Sequence, residues 1–393
     1  MSIYDQAFPH YQPIIALSDS RIYGYEVLGR YIDPTGQVQS LGSFFIDPAL
    51  SELEKIRIDR NIRSQALKRL QRETNKLIFF NLNPLWMLKN LREGVHPVLL
   101  EDLRQRKIKG ERIVIEIAET IIKEHINELK PIVKLYRNYG CKIAIDDFTF
   151  SDFDRLIHFK PDIVKMSMHL LRMSRDSYEY FRLIETVSRF SQELGMHVLF
   201  EGVEDESDLA KVVEAGGGLV QGYLFSRGDA DFQDDQEFRP LVSKALQSVM
   251  DQRFAIQQDL IDLHEHLQTQ AAGFTLASDD EDLMDQTLGQ WARQLGPGVL
   301  RLYACRSNGI QISSNIMISE TKEISSDSSY RDFNWAWRPF FVHNMAAMRK
   351  TGTGVISDPY IDHHTRLQIA TFSFPAGDNV FVFLDYQLAA PSA

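Results

Sequence analysis

Residues 113–117 read Ile113-Val114-Ile115-Glu116-Ile117, and residues 142–147 read Lys142-Ile143-Ala144-Ile145-Asp146-Asp147. Between these two apolar runs, residues 125–139 have the periodicity of an amphipathic helix. Apolar strands joined through helices are typical of a parallel sheet that helices cover. The stretch therefore predicts an α/β fold in which Glu116 and Asp146 lie within or at the end of a strand.

The same alternation extends over the first 230 residues. Further amphipathic helices are expected at residues 52–70 and 178–194, and the candidate strands are residues 12–17, 22–28, 77–81, 113–117, 142–146, 163–166, 198–201 and 219–220. At this length, a (β/α) barrel is the natural closed arrangement of so many strand–helix units. A doubly wound open sheet is the alternative, but the glycine-rich phosphate loop typical of that fold is missing.

The sequence pattern changes at Pro240. Apolar residues then recur at alternating spacings of three and four, interrupted only by Arg253, namely Val242, Leu246, Val249, Ile256, Leu260, Leu263 and Leu267. This seven-residue repeat predicts a helix of about thirty residues that ends near Gly273. The helix either packs on its own domain or pairs with its copy in a dimer, and the sequence leaves both open.

The C-terminal part combines one predicted helix with several short strands. The helix covers residues 279–295, and the strands cover residues 299–305, 309–315, 370–374 and 380–384. A small α+β domain with an antiparallel sheet fits this order. We therefore expect a barrel domain at residues 1–235, a connecting helix at 236–272 and a smaller domain at 273–393.

Composition excludes several classes of protein. Lys and Arg total 43 against 54 Asp and Glu, a formal net charge of −11, which argues against a nucleic-acid partner because such binding needs a basic surface. The two cysteines, Cys141 and Cys305, are too few for a disulfide scaffold or a cysteine-built metal site. No apolar run approaches the roughly 18 residues that a membrane span needs. We expect a cytoplasmic protein.

Polar residues interrupt or end the predicted strands at equivalent places. They are Glu26, Asn81, Glu116, Asp146, Asp147 and Glu201. A buried carboxylate is costly unless it is paired or bound to a metal, and the ends of parallel barrel strands meet at one face. These side chains are therefore expected to lie together.

The chemistry of this set indicates a hard cation. Ligands that offer only oxygen select Mg²⁺ or Mn²⁺, and one or two such ions assist the hydrolysis of phosphoesters. Lys165 ends the strand Ile163-Val164-Lys165 beside the acids, where it would orient water or stabilise charge on a phosphate. The alternative for Lys165 is a salt bridge to a neighbouring acid.

At these residues the sequence resembles the EAL-domain cyclic-di-GMP phosphodiesterases. The stretch Glu26-Val27-Leu28-Gly29-Arg30 is similar to the EAL signature, with Val27 in place of Ala. Six further motifs follow the family's order: Gln12-Pro13-Ile14, Asn81-Leu82-Asn83-Pro84, Glu116-Ile117-Ala118-Glu119, Asp146-Asp147-Phe148, Glu201-Gly202-Val203-Glu204 and Gln221-Gly222-Tyr223-Leu224-Phe225-Ser226-Arg227. Together the motifs cover residues 12–227.

The resemblance implies a TIM-like barrel that hydrolyses cyclic di-GMP to the linear dinucleotide pGpG. It implies metal ligands at Glu26, Asn81, Glu116, Asp146, Asp147 and Glu201. It implies catalytic groups at Lys165, Glu26 and Gln221. It also implies nucleotide contacts at Gln12, Leu28, Arg30, Pro84, Glu204 and Gln221. Arg30 is a sensible phosphate contact because a guanidinium fork matches a phosphate edge.

One loop departs from the family pattern. Where the family has Gly-Thr-Gly-Tyr-Ser-Ser, this chain has Thr149-Phe150-Ser151-Asp152-Phe153-Asp154, and Ser167 replaces an acid two residues after Lys165. Glu119, which commonly anchors this loop, is retained. The alternative function is therefore a weak or inactive enzyme that serves as a cyclic-di-GMP receptor and signals through its C-terminal domain or a partner.

The C-terminal part has a looser resemblance. The stretches 334–340, 357–360 and 370–375 look like parts of PAS/Cache-type sensor domains, and the whole arrangement is similar to YkuI-type bacterial proteins. This implies a sensor of an unidentified small molecule, and with the helical repeat it implies a homodimer. For Trp335 and Trp337, packing at a helix start is the alternative to a ligand pocket.

Overall fold

The computed structural model describes residues 6–73, 75–94, 97–149, 153–276, 280–319 and 321–388. The chain divides into two units, Met1–Asp251 and Gln252–Ala393. Within the described residues, no helix combines the length and the apolar character that crossing a membrane would require.

The first unit is built on a closed barrel. Eight strands follow one another around it in the order β1-β9-β8-β7-β6-β5-β4-β2, and β2 pairs again with β1. Strand β3 extends the sheet beside β2. The strands are β1 (Phe8–Ala16), β2 (Arg21–Ile32), β3 (Val38–Ser40), β4 (Ile78–Asn81), β5 (Ile113–Ala118), β6 (Lys142–Phe148), β7 (Ile163–Met166), β8 (His197–Phe200) and β9 (Leu219–Val220). The predicted barrel and its eight strands are confirmed.

One strand differs from the expected parallel arrangement. Strand β1 runs antiparallel to both of its neighbours, β2 and β9, whereas the pairings from β2 through β4 to β9 are parallel. Only residues 17–20 connect β1 to β2. So short a connection forms a hairpin, since a parallel pair needs a crossover of a dozen or more residues.

Helices connect the barrel strands. They are α1 (Gly42–Ile46), α2 (Glu52–Leu70), α3 (Pro84–Arg92), α4 (Val98–Arg106), α5 (Glu119–Asn138), α6 (Asp154–Phe159), α7 (Met168–Asp176), α8 (Tyr178–Glu193) and α9 (Glu206–Glu214). Helix α2 matches its predicted range, because Ser51 and Glu54 form a reciprocal capping box at its start. Helix α5 begins six residues before the predicted residue 125, at Glu119.

A 33-residue helix, α10 (Arg239–Ala271), follows the barrel. Val242 belongs to the core of the first unit and Leu267 to a core of the second, so these repeat positions pack within their own units. Ile256, in the middle of the repeat, is 57% exposed, and Met250, Phe254 and Ile261 are also exposed. The packing alternative is therefore the one observed at both ends of the helix.

The second unit is α+β, as predicted. Its sheet is antiparallel in the order β12-β11-β10-β16-β15-β13, with β14 beside β15. Its elements are α11 (Glu281–Ala292), β10 (Val299–Arg306), β11 (Asn315–Ile318), β12 (Ile324–Asp327), α12 (Pro339–Thr351), β13 (Val355–Ile356), β14 (Tyr360–Ile361), β15 (Gln368–Gly377) and β16 (Val380–Gln387).

The strand predicted at residues 309–315 is wrong. Only isolated bridges occur there, and strand β11 begins at Asn315. The side chain of buried Gln311 donates to the carbonyl of Ser313 and to Asn315 Oδ1. Local side-chain hydrogen bonds of this kind compete with strand pairing. Trp335 is buried and donates to Gln311 Oε1 at 2.7 Å.

A buried ionic cluster lies within the second unit. Arg301 on β10 donates to Asp385 at 2.6 Å and to Asp362 at 2.8 Å. The three residues are 5%, 1% and 1% exposed in the order Arg301, Asp362, Asp385. Thr371 donates to the second oxygen of Asp385, so each oxygen of that carboxylate accepts a hydrogen bond. Such a cluster is stable only while every member keeps its partner.

Candidate functional site

Two layers of side chains fill the barrel interior, and the predicted site forms one of them. The lower layer is apolar and contains Ile14, Phe79, Val114, Ala144, Ile163, Leu199 and Leu219. Successive side chains of a strand alternate between its two faces, so residues two apart point the same way. Two residues from each of these apolar residues lie Gln12, Asn81, Glu116, Asp146, Lys165, Glu201 and Gln221 respectively. The strand register thus brings the polar residues together above the apolar layer.

Lys165 lies at the centre of the polar layer. Its ammonium Nζ is 2.9 Å from carboxylate oxygens of Glu116, Asp146 and Glu201, and 3.6 Å from Glu26. These contacts are ion pairs, because Lys165 Nζ has no hydrogen-bond partner among the described residues. The salt-bridge alternative for Lys165 therefore describes its position here, and the acids it pairs with are the predicted metal ligands.

Amide side chains hold Glu26 in place. Asn81 Nδ2 donates to Glu26 Oε1 at 2.7 Å, and Gln221 Nε2 donates to Glu26 Oε2 at 2.7 Å and to Gln12 Oε1 at 3.0 Å. Gln12 in turn donates to the Ser226 carbonyl at 2.9 Å. Four predicted site residues therefore form one hydrogen-bonded network around a single carboxylate.

The acids outnumber the one cation among them. Burial raises the pKa of Glu116 well above its usual value, and the charges of Glu26 and Asp146 add to this effect while Lys165 opposes it. Burial likewise raises the pKa of Glu201 to about 7. For Lys165, burial lowers the pKa, but the surrounding carboxylates outweigh it, so the pKa is well above the usual lysine value. Additional positive charge would stabilise this site.

The donor set fits a divalent metal ion of the hard class. All its donors are carboxylate or amide oxygens, and Glu116 is 1% exposed with an Oε2 atom that lacks a hydrogen-bond partner among the described residues. The described part of the chain contains no preformed group of three metal-ligating side chains, because the acids close on Lys165 instead. A bound ion would therefore have to take over carboxylate oxygens that Lys165 now contacts.

Two other predicted residues lie beside this layer. Asp147 follows Asp146 on β6 with a φ of 55°, a left-handed conformation that is uncommon outside glycine. It lines a cleft together with Glu201. Helix α5 begins at Glu119, but the predicted anchoring role of its side chain lies outside the described part of the structure, as do residues 150–152 of the altered loop.

Two clefts open beside the polar layer and contain the predicted nucleotide contacts. One, of about 360 Å³, is lined by Leu28, Arg30, Asn81 and Pro84. The other, of about 310 Å³, is lined by Gln12, Glu26, Asp147, Glu201, Glu204 and Gln221. Because Glu26 and Asn81 bond to each other, the clefts meet at the carboxylate layer.

The structure adds cleft residues that sequence reasoning missed. Arg172 and Tyr223 line the smaller cleft, and Asp59, Arg63 and Trp86 line the larger one. Tyr223 lies in the motif at residues 221–227, in which the family resemblance implies a role for Gln221 alone. The others are on helices, where the apolar periodicity identifies the buried face and gives no sign of which polar residue reaches the cleft.

Comparison with family models gives two matches. The EAL domain model matches residues 3–228, and the model of an EAL-domain associated signalling protein domain matches residues 233–389. The chain is 30% identical over 393 residues to an uncharacterised EAL-domain containing protein, YkuI of Bacillus subtilis, covering 97% of this chain and 94% of YkuI. It is 27% identical over 225 residues to the cyclic di-GMP phosphodiesterase RocR of Pseudomonas aeruginosa, covering 56% of each protein.

Solved structures show the same relationship. YkuI of Bacillus subtilis, in complex with cyclic di-GMP and calcium, matches with a TM-score of 0.87 and 27% identity over 98% of both chains. BlrP1 of Klebsiella pneumoniae, in complex with manganese and cyclic di-GMP, matches with a TM-score of 0.51 and 26% identity over 58% of each chain. The likeness to YkuI therefore includes both units.

Proposed function

Since this chain belongs to the EAL-domain family, we propose that it binds cyclic di-GMP across the two clefts and hydrolyses it to linear pGpG with the help of Mg²⁺ or Mn²⁺. One observation carries the proposal: four carboxylates surround Lys165 at the place where the clefts meet. Relatives crystallised with cyclic di-GMP contain calcium or manganese, which supports a divalent ion in the same acidic layer.

The residues proposed to hold the ions are Glu26, Asn81, Glu116, Asp146, Asp147 and Glu201. When bound, divalent ions lower the pKa of water and neutralise charge on the phosphate oxygens. The raised pKa values of Glu116 and Glu201 mean that ion binding competes with protons at these two carboxylates.

Two side chains of the polar layer, Lys165 and Gln221, would act on the reacting groups. Lys165 is a cation at the centre of the layer, where it would stabilise negative charge that develops on the phosphate. Gln221 Nε2 holds Glu26, whereas its buried Oε1 has no hydrogen-bond partner among the described residues. That oxygen is available to accept a hydrogen bond from a water molecule and so to orient the water for attack on the phosphorus.

The larger cleft supplies groups suited to half of the dinucleotide. Arg30 offers a guanidinium fork to a phosphate, while Leu28 and Pro84 provide apolar walls for a sugar or base. Pro84 is also the first residue of α3, a position that proline favours, so the helix start holds it firmly at the cleft.

The test is incubation of the purified protein with cyclic di-GMP and Mn²⁺ or Mg²⁺, with binding measured by calorimetry and pGpG by chromatography. We expect tight binding and a product that disappears when EDTA is added. No binding with either ion would contradict the proposed function.

A receptor without turnover is the second candidate. The observation that favours it is the altered loop at residues 149–154, together with Ser167 after β7. In the same incubation, binding with no pGpG at any ion concentration would establish this candidate and exclude the enzyme.

Several wider predictions stay proposals. We propose the domain division 1–235, 236–272 and 273–393, and a small-molecule ligand for the last of these.

We also propose a homodimer. Its support is a set of exposed apolar side chains on α10, namely Met250, Phe254, Ile256 and Ile261, which a second copy would cover. Light scattering tests the dimer: we expect a dimer for the wild type and a monomer for Phe254→Asp.

The two cysteines are buried free thiols, which fits a reducing, cytoplasmic compartment.

A further inference from the structure

Arg172 is a cationic side chain in the smaller cleft that the proposed function leaves without a role. It stands on α7, one turn after Met168, and both residues line the cleft beside Glu201 and Glu204. The Arg172 side chain is 47% exposed, so it is accessible to a ligand. Tyr223, which is 55% exposed, lines the same cleft and offers an aromatic ring to a base.

A rigid frame holds Arg172 next to Glu204. Arg172 Nη2 donates to Glu204 Oε1 at 2.7 Å, and Arg175 Nη2 donates to Glu204 Oε2 at 3.2 Å. Asp208, which is 1% exposed, accepts two bonds from Arg175 at 2.8 and 2.7 Å and a third from the backbone N–H of Glu204 at 2.9 Å. Arg175 and Asp208 therefore hold Glu204 in place, and the Arg172 guanidinium bonds to its carboxylate before any ligand arrives.

Both groups keep bonding capacity for a ligand. A guanidinium has five N–H donors, and Arg172 uses one of them on Glu204. A carboxylate has about four lone-pair sites, and Glu204 uses two. The pair thus presents a row of donors next to a row of acceptors at the wall of the cleft.

We propose that Arg172 determines base specificity in this cleft, donating to guanine O6 while the adjacent Glu204 accepts from guanine N1–H and N2–H. The inference rests on the proposed function, since it assigns a cyclic-di-GMP base to the smaller cleft. Guanine carries an acceptor next to two donors along this edge, which is complementary to the Arg172–Glu204 pair. Adenine presents an amino group in place of O6 and an acceptor in place of N1–H, so both contacts become repulsive.

The test measures the affinities of wild type and Arg172→Gln for cyclic di-GMP and, by competition, for cyclic di-AMP, both with Ca²⁺ present. A good arginine–guanine contact provides about tenfold or more discrimination between bases. We therefore expect Arg172→Gln to bind cyclic di-GMP about tenfold more weakly and cyclic di-AMP no more weakly than wild type. Arg172→Lys should lose most of the discrimination too, because an ammonium retains the charge without the planar fork.

Arg182→Gln is the matched control. Arg182 is 52% exposed on α8, where it pairs with Glu185, and its removal changes the net charge by the same amount. This control should bind both nucleotides as wild type does.

Three results would overturn the inference, and the third of them would overturn the proposed function as well. Equal weakening of both nucleotides in Arg172→Gln would indicate a phosphate contact and contradict base reading. Unchanged affinities would show that Arg172 touches neither nucleotide. Failure of the wild type itself to bind cyclic di-GMP would overturn the proposed function along with this inference.

Discussion

Replacement of Glu26 by alanine is expected to lower the rate of pGpG formation by at least about a hundredfold, since one charged ligand and the anchor of the amide network are both removed. The free energy of unfolding of the metal-free protein should stay unchanged or rise. Glu26 is one of four carboxylates around one ammonium, so its removal relieves repulsion within the cluster. Initial rates in Mn²⁺ and urea unfolding of the metal-free protein measure the two effects.

The control for Glu26→Ala is Glu185→Ala, which removes an acid from the surface ion pair with Arg182 on α8. It should keep the wild-type rate, because the residue lies outside both clefts. Unfolding of Glu26→Ala under conditions that leave Glu185→Ala folded would count against a metal-site role for Glu26.

Replacement of Arg301 by methionine is expected to cost the second unit about 3–5 kcal/mol of unfolding free energy. The change leaves Asp362 and Asp385, each 1% exposed, without the cation that compensates them. Three of the four tryptophans, at positions 291, 335 and 337, lie in this unit. Urea unfolding that is monitored by tryptophan fluorescence therefore reports mainly on the second unit and on its predicted loss of unfolding free energy.

Two further variants sharpen this experiment. Arg349→Met removes an exposed arginine of α12 and should change stability by less than about 0.5 kcal/mol. Asp385→Asn added to Arg301→Met should recover part of the loss, since one buried anion is neutralised. A loss of under about 1 kcal/mol in Arg301→Met would show that the buried cluster is not held by its charges.

The sequence predicted the barrel and its polar layer because two physical signals agree there. Apolar strands alternate with helices, and a carboxylate stands where burial would otherwise be costly, as at Glu116 and Glu201. The period of two along each strand then carries Asp146 and Lys165 to the same interior level. Their convergence follows from strand register, which a closed parallel barrel restricts strongly.

Other features depend on information that local sequence does not contain. The antiparallel direction of β1 follows from the length of the β1–β2 connection, and the strand predicted at residues 309–315 yields to hydrogen bonds of the Gln311 side chain. The position of Arg172 depends on how the start of α7 meets the cleft, which is a tertiary property. Helical periodicity identifies the apolar face of a helix, but it does not tell which of the several polar residues on the other faces reaches the cleft.

The most direct test of a phosphodiesterase site centred on Lys165 is a parallel measurement of cyclic-di-GMP binding and pGpG formation in wild type and Lys165→Ala, both saturated with Mn²⁺. We expect both proteins to bind the nucleotide and the variant to form product at least about a hundredfold more slowly, because the cation that stabilises charge on the phosphate is gone. An unchanged rate in Lys165→Ala, or a wild type that binds without forming pGpG, would contradict this account.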